Sequence, residues 1–194
     1  MEKLKPKVGI VGLGMVGGPI ARYFLEVKGF RRGTDLLLYD TDPEKGYSDA
    51  IENADIIFVS VPSPRNPETG ACDTSIVENA IKSIRGEKVV IIKSTVPPGT
   101  TEKLQKQYPQ HKFLFNPEFL TEARAWEDMI HPDRQIVGFT KQSLDMAHFV
   151  LSLLPQAPFM SPWGIGTNAQ TRITATEAEL IKYAGNVYFA RKVN

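Results

Sequence analysis

Two polar residues in the last stretch of the sequence could address one object. In ELIKYAGNVYFARKVN, Glu179 to Asn194, Lys182 and Asn186 stand four apart. On a helix that spacing puts both side chains on one face. A second pair, Glu118 and Glu122, lies in FNPEFLTEARAWED, directly after an apolar run. Two carboxylates there can position a water or a hydroxyl and exchange protons with it. They equally suit a helix start, where the dipole favours acids, and spacing alone leaves that second reading standing. In KSTVPPGTTEKL, Ser94 and Thr95 close another apolar run. Their hydroxyls can face a ligand or cap the following helix, and spacing does not choose.

The strongest local pattern is KVGIVGLGMVGGPIA. Gly12, Gly14 and Gly17 follow a candidate strand and open a candidate helix. The first glycine permits a tight turn, the second lets a pyrophosphate approach the backbone, and the third lets helix and strand pack closely. Free amides and the dipole at the helix start favour phosphate. Asp40 ends the next candidate strand, where a carboxylate accepts the ribose hydroxyls of NAD. Lys45, five residues on, can reach the same ligand or sit as a solvated surface lysine.

These groups need elements to position them. Apolar runs at Lys7–Val11, Asp35–Tyr39, Asp55–Val61, Lys88–Lys93, Lys112–Phe115 and Gln135–Phe139 read as buried strands. Helical periodicity marks Val16–Lys28, Thr74–Ile84, Thr100–Tyr108, Thr121–Met129 and Gln142–Leu154, with a short helical stretch at Glu44–Asn53. The alternation predicts an α/β fold, a doubly wound parallel sheet followed by a long helix. Such sheets bind ligands beyond the carboxyl ends of their strands. Pro62–Asp73 and Pro155–Thr171 break the rhythm as loops, the second with a short strand at Pro158–Ser161. Thr174 and Thr176 each precede a glutamate by three residues, the capping-box pattern. The last helix carries an apolar stripe, Leu180, Ile181, Ala184, Val187 and Tyr188, with Phe189 and Val193 on another face. It therefore calls for packing partners on more than one side.

Bulk properties narrow the field. A net charge of +1, with the signs interspersed, gives no electrostatic footprint for nucleic acid. The longest apolar runs, such as IIFVSV, are far short of a membrane span. Neither nucleic acid nor membrane is expected as a partner. The opening MEKLKPK leads straight into a strand and reads as no signal peptide. A lone cysteine, Cys72, excludes an internal disulfide framework, and a reducing cytoplasm is the expected location. Cys72 reads as structural or incidental. His111, His131 and His148 show no ligand spacing, and Trp126 and Trp163 read as packing residues.

VGLGMVG, VPSP followed by Asp73, KSTVPPGTT, NPEFLTEA with PDRQIVG behind it, and AELIKYAGN occur in this order across nearly the whole sequence. In this the chain resembles the UDP-glucose/GDP-mannose dehydrogenase family. That resemblance implies a Rossmann-like NAD-binding domain, a long central helix that builds a dimer, and a C-terminal domain. It implies oxidation of a nucleotide sugar's C6 hydroxyl to a carboxylate with two NAD, through a cysteine thiohemiacetal and thioester. By the same resemblance Val16, Asp40, Lys45, Ser63, Thr95 and Glu122 would contact NAD, beside Gly12, Gly14 and Gly17. Glu118 would act as acid or base and, with Thr95, place the hydrolytic water. Lys182 and Asn186 would hold the reacting end of the sugar and stabilise the oxyanion at C6. Phe119, Leu120 and Glu122 would line the sugar-nucleotide site.

The sequence departs from the family pattern in two places. The stretch after Asp40 is short, so that side of the cofactor pocket is expected to be trimmed or open. The family's glycine-rich cysteine motif does not occur, and Cys72 does not match it. The expected organisation is an NAD-binding domain over 1–172 and the start of the central helix over 173–194, with the UDP-sugar-binding C-terminal domain absent. The expected activity is that of the NAD-binding portion of a nucleotide-sugar 6-dehydrogenase acting on UDP-glucose or a related UDP-sugar. It would pair as a homodimer through the last helix, or with a separate C-terminal half. Two alternatives stay open: a compact hydroxyacid or 6-phosphogluconate-type dehydrogenase, and a non-catalytic NAD-binding or dimerising module.

Overall fold

The computed structural model describes residues 5–162 and 172–193. Six strands form the main sheet in the order β2-β1-β3-β4-β5-β7. They are β1 (Val8–Val11), β2 (Leu36–Tyr39), β3 (Ile56–Val59), β4 (Val89–Ile92), β5 (Lys112–Phe115) and β7 (Gly138–Phe139). The first five are parallel neighbours, and β7 runs antiparallel to β5 at the edge. A separate two-stranded parallel sheet joins β6 (Arg134–Ile136) to β8 (Phe159–Ser161).

Alternation along the strands feeds two cores. Ile56, Phe58, Ile91 and Leu114 face one layer, where α1 (Gly17–Glu26), α4 (Ala125–Ile130) and α5 (Leu144–Leu153) pack. Ile57, Val59, Val90, Ile92, Phe113 and Phe115 face the other, against α2 (Ser75–Lys82), α3 (Thr100–Gln107) and α6 (Ala175–Val193). Each such side chain contributes about 1.5–3 kcal/mol on full burial. The doubly wound sheet follows from this two-sided burial, and it leaves the carboxyl ends of β1 to β5 on one edge.

Three segments differ from the sequence expectation. Gln135–Phe139 is one apolar run but serves two sheets. Residues through Ile136 pair with β8, Val137 N–H donates to the Ser161 carbonyl, and Gly138–Phe139 turns to pair with β5. The expected helix Thr121–Met129 begins as a 3-10 turn, Glu122–Arg124, before α4. Glu44–Asn53 forms two 3-10 turns, Pro43–Lys45 and Ile51–Asn53. Between those turns Ser48 bridges Tyr39 in antiparallel sense, Asp49 holds the Leu38 amide, and Arg32 pairs with Asp49 while stacking on Tyr47. The shortened connection thus covers the outer edge of β2 and leaves no bare strand edge there.

Helix α6 docks by one edge of its apolar stripe, Ile181, beside a row of small and polar residues. Ala175, Ala178, Glu179 and Lys182 are buried, whereas Leu180, Val187 and Tyr188 are more than half exposed. The close approach depends on Gly138. A Cβ there would meet Ala178 Cβ at 2.6 Å and the Thr174 carbonyl at 2.7 Å. Thr174 and Glu177 form the expected capping box, each side chain bonding the other residue's amide. Glu179, the second glutamate of that pattern, instead reaches across to α3. Trp163 and most of the loop Pro155–Thr171 lie outside the described residues.

Candidate functional site

The glycine turn joins β1 to α1. Gly12 has φ +89°, and a Cβ there would strike the Ser60 carbonyl at 2.7 Å. At Gly17 a Cβ would lie 1.8 Å from the Gly12 carbonyl oxygen. Both positions therefore exclude side chains for reasons internal to the turn. Gly14 is different: a Cβ there would meet nothing within 4 Å. The turn itself leaves that space open, on the side a phosphate would approach. Val16 precedes the helix with no side-chain cap, and the first turn carries no acid. An uncapped, acid-free helix start beside an open glycine is what a pyrophosphate needs.

Asp40 stands at the neighbouring strand end. Its Oδ2 accepts from the Leu13 amide at 2.7 Å and from Lys45 Nζ at 2.9 Å, and Oδ1 accepts from the Asp42 amide at 3.0 Å. Burial by itself would raise this carboxyl. The Asp42 and Leu13 amides and the Lys45 ammonium outweigh it and hold the group below the usual carboxylate range. Asp40 is thus an anchored anion, and a carboxylate keeps acceptor capacity for ribose hydroxyls beyond these bonds. Lys45 resolves as its ion-pair partner.

Ser63 and Thr95 meet at the ends of β3 and β4. Ser63 Oγ donates to the Thr95 carbonyl at 2.6 Å. Cys72 lies against the same two residues, with Sγ 3.6 Å from the Thr95 carbonyl and 3.8 Å from that of Ser63. Burial and the nearby Cys72 push the Tyr183 hydroxyl up to about 12. Ser94 does not cap α3; its hydroxyl donates to the Val61 carbonyl. Capping acceptors for α3 come from Glu179.

A cavity of about 440 Å³ opens beyond β4 and β5, lined by Glu118, Phe119, Leu120, Lys182, Asn186 and Phe189 among others. Lys182 Nζ donates to Glu118 Oε1 at 2.8 Å and to the Glu118 carbonyl at 2.7 Å. Both side chains are about nine-tenths buried. Glu118 Oε2 accepts from the Leu120 amide at 2.7 Å, so its carboxylate is held at both oxygens. The structure therefore brings together Glu118, Phe119, Leu120, Lys182 and Asn186 on one wall. It sets Thr95 and Glu122 off that wall, with Glu122 exposed in its 3-10 turn.

Sequence reasoning missed Lys93. This residue directly follows β4 and is only 6% exposed, yet it lines the cavity. The legible signal was a lysine closing an apolar strand run, since lysine is rarely buried without a partner. Arg134 was missed as well; its guanidinium lies 4.5 Å from the centre of the Phe119 ring. Among the described residues no cluster of His, Cys, Asp or Glu could hold a metal ion, and no helix is long and apolar enough to cross a membrane.

Fold and site together define a dinucleotide-binding dehydrogenase domain. Residues 41–151, more than half of the chain, match the model of the UDP-glucose/GDP-mannose dehydrogenase family, NAD-binding domain. The chain belongs to this family and carries its NAD-binding domain. It is 34% identical over 155 residues to a UDP-glucose 6-dehydrogenase of Rickettsia typhi, covering 76% of this chain and 34% of that protein. Against the Bacillus subtilis UDP-glucose 6-dehydrogenase TuaD it is 35% identical over 156 residues, covering 75% of this chain and 31% of that protein. A solved UDP-glucose dehydrogenase from Pyrobaculum islandicum superposes with a TM-score of 0.74 at 26% identity, over 98% of this chain and 51% of that one. The chain thus spans about half the length, or less, of these three relatives.

Proposed function

We propose that this chain is the NAD-binding portion of a nucleotide-sugar 6-dehydrogenase that converts the C6 hydroxyl of UDP-glucose, or a related UDP-sugar, to the uronate. One observation carries the reading: the buried Lys182–Glu118 pair lines a cavity, with Asn186 beside it, at the same sheet edge as the glycine turn. NAD supplies the hydride acceptor, twice per sugar. The chain's own residues do the rest of the work assigned here. Open space at Gly14 and the uncapped start of α1 receive the pyrophosphate, and Asp40 takes the ribose hydroxyls. Lys182 and Asn186 direct donors at the C6 oxygen, where negative charge develops. Glu118, already holding one lysine proton by hydrogen bond, is placed to exchange protons at that oxygen.

The second oxidation calls for a thiol at the cavity. Cys72 faces Thr95 and Ser63 and is not on the cavity wall. We assign the thiol to a further segment or a separate chain, and pairing through α6 suits the exposed Leu180, Val187, Tyr188 and Phe189. The test has two arms. Calorimetric titration with NAD and NADP should show binding of NAD and weaker binding of NADP, because Asp40 repels a 2′-phosphate. NADH formation from UDP-glucose should be slow or absent with the 194-residue chain alone. Lack of NAD binding sinks the cofactor assignment. Robust four-electron turnover sinks the need for an added thiol.

A further inference from the structure

A lysine without a counter-charge of its own lies under the cavity. Lys93 Nζ donates to the Asn116 side-chain Oδ1 at 2.7 Å and to the Asn116 carbonyl at 3.3 Å. Both acceptors are neutral amide oxygens. Asn116 is itself fixed, since its Nδ2 donates to Gln135 Oε1 at 2.9 Å and to the Ile136 carbonyl at 2.6 Å. Its Oδ1 must therefore face Lys93. A neutral amine retains two N–H groups, enough for both acceptors, with weaker bonds than an ammonium makes. The hydrogen-bond network tolerates either protonation state.

The carboxylate that faces this lysine is already taken. Facing Lys93 are Glu118, from the turn after β5, and Lys182, from α6. The Glu118 carboxylate already takes the Lys182 ammonium and the Leu120 amide. Farther round the wall stand Arg124, Asp128, His131, Asp133 and Arg134. Arg124 pairs outward with Glu127, and Asp128 holds the amide and hydroxyl of Thr121. With Arg124 paired to Glu127, the carboxylate nearest Lys93 is taken by Lys182 and Asp128 by Thr121, so Lys93 has no carboxylate of its own on this wall. Such a buried cation is costly unless it loses its proton or gains an anion.

We propose that Lys93 is a positioning residue, a buried amine with no carboxylate of its own, and that an anionic sugar carboxylate entering the cavity binds together with uptake of one proton by Lys93. This rests on the assignment of Lys182 and Asn186 to the C6 end of the sugar. The proton comes from solvent, and no covalent bond changes. Burial first, with Lys182 adding and Glu118 opposing, lowers Lys93 to about 8. A carboxylate in the cavity offsets the repulsion from Lys182 and so raises the proton affinity of Lys93. Product then binds more tightly below that value, and deprotonation of Lys93 favours its release. The neutral hydroxymethyl group of the substrate feels no such coupling.

The experiment uses the full chain labelled with ¹³C-lysine, titrated by NMR with and without UDP-glucuronate, beside calorimetry at pH 7, 8 and 9. One lysine should titrate near pH 8 and disappear in K93R. UDP-glucuronate should move that titration upward, and UDP-glucose should leave it in place. UDP-glucuronate affinity should fall up to about fivefold from pH 8 to pH 9, since Lys93 is half deprotonated at pH 8 and one linked proton gives its full slope only above that, and should stay flat in K93R, whose guanidinium does not titrate. The NMR arm needs no variant to fold. The role of Lys93 is overturned if every lysine titrates in its ordinary range, near 10, or if UDP-glucuronate binds with the lysine unmoved. Failure of UDP-glucuronate to bind would overturn this inference, whereas the functional reading stands or falls on the separate titration with NAD.

Discussion

Glu179 of α6 caps helix α3 through Thr101. One carboxylate oxygen accepts from the Thr101 amide at 2.8 Å and from its hydroxyl at 2.6 Å, and the other accepts from the Gly99 amide. The carboxylate is fully buried, and burial raises its pKa despite these donors. Three residues along α6 stands Lys182, so this bond fixes the helix that presents the cavity lysine. E179A should strand three buried donors and cost about 2–3 kcal/mol of unfolding free energy. Urea denaturation measures it, and a loss below about 0.5 kcal/mol, the range of an ordinary surface change, would refute the tie. Because the folded carboxyl sits above its unfolded value, its contribution to stability declines as pH rises through that interval.

The three glycines of the turn should separate by role. G17A forces a Cβ to within 1.8 Å of the Gly12 carbonyl oxygen and should destabilise by about 3 kcal/mol or more through strain. G14A meets nothing and should leave stability within about 0.5 kcal/mol. Its methyl group nevertheless enters the space assigned to the pyrophosphate, so NAD affinity should drop about tenfold or more, about 1.4 kcal/mol. Thermal unfolding and NAD calorimetry on both variants decide it. A G14A protein that binds NAD as the wild type does would move the phosphate elsewhere.

What the sequence made legible was whatever is local. Each strand of the parallel core was visible because two-sided burial requires an unbroken apolar run, as in Ile56–Val59. The glycine turn and Asp40 were visible because their spacing is set by one βαβ unit. Nonlocal partners were hidden. Nothing in ATEAELIKY tells Glu177, which caps its own helix, from Glu179, which caps another. Of the stripe Leu180, Ile181, Ala184, Val187 and Tyr188, Ile181 alone packs on the core, and small residues set the docking face, because Gly138 admits Ala178 more closely than it would a leucine. Lys93 was overlooked because its significance lies in Glu118 and Lys182, which are distant in sequence and reach it only through the fold.

Asp40 should couple acid stability to the cofactor site. Amides of Asp42 and Leu13 and the Lys45 ammonium hold its folded pKa below the unfolded value, against the opposing effect of burial. The stabilisation is therefore complete above the ordinary carboxylate range and is lost as pH falls through the depressed folded value. Urea midpoints measured from pH 6 down to pH 3 should fall less steeply in D40N than in the wild type. D40N should also weaken NAD binding, since a carboxamide is a poorer acceptor for the ribose hydroxyls. Equal acid slopes in the two proteins would remove Asp40 from this role.

The Lys182–Glu118 pair lends itself to a double-mutant cycle. Both side chains are about nine-tenths buried, at 2.8 Å. Removing one partner leaves the other as an uncompensated buried charge, so K182M and E118L should each cost about 3 kcal/mol. Replacing both by apolar groups removes the two charges together, and the double variant should lose clearly less than the sum. The expected coupling is about 2 kcal/mol in urea unfolding. Stability alone would allow a purely structural pair, so ligand binding must be read in parallel. The double variant should recover stability without recovering affinity for UDP-glucuronate, because the donor proposed for C6 is gone. Should affinity return with stability, the pair holds the fold and the C6 contact must be sought elsewhere on the wall, with Asn186 the first residue to test.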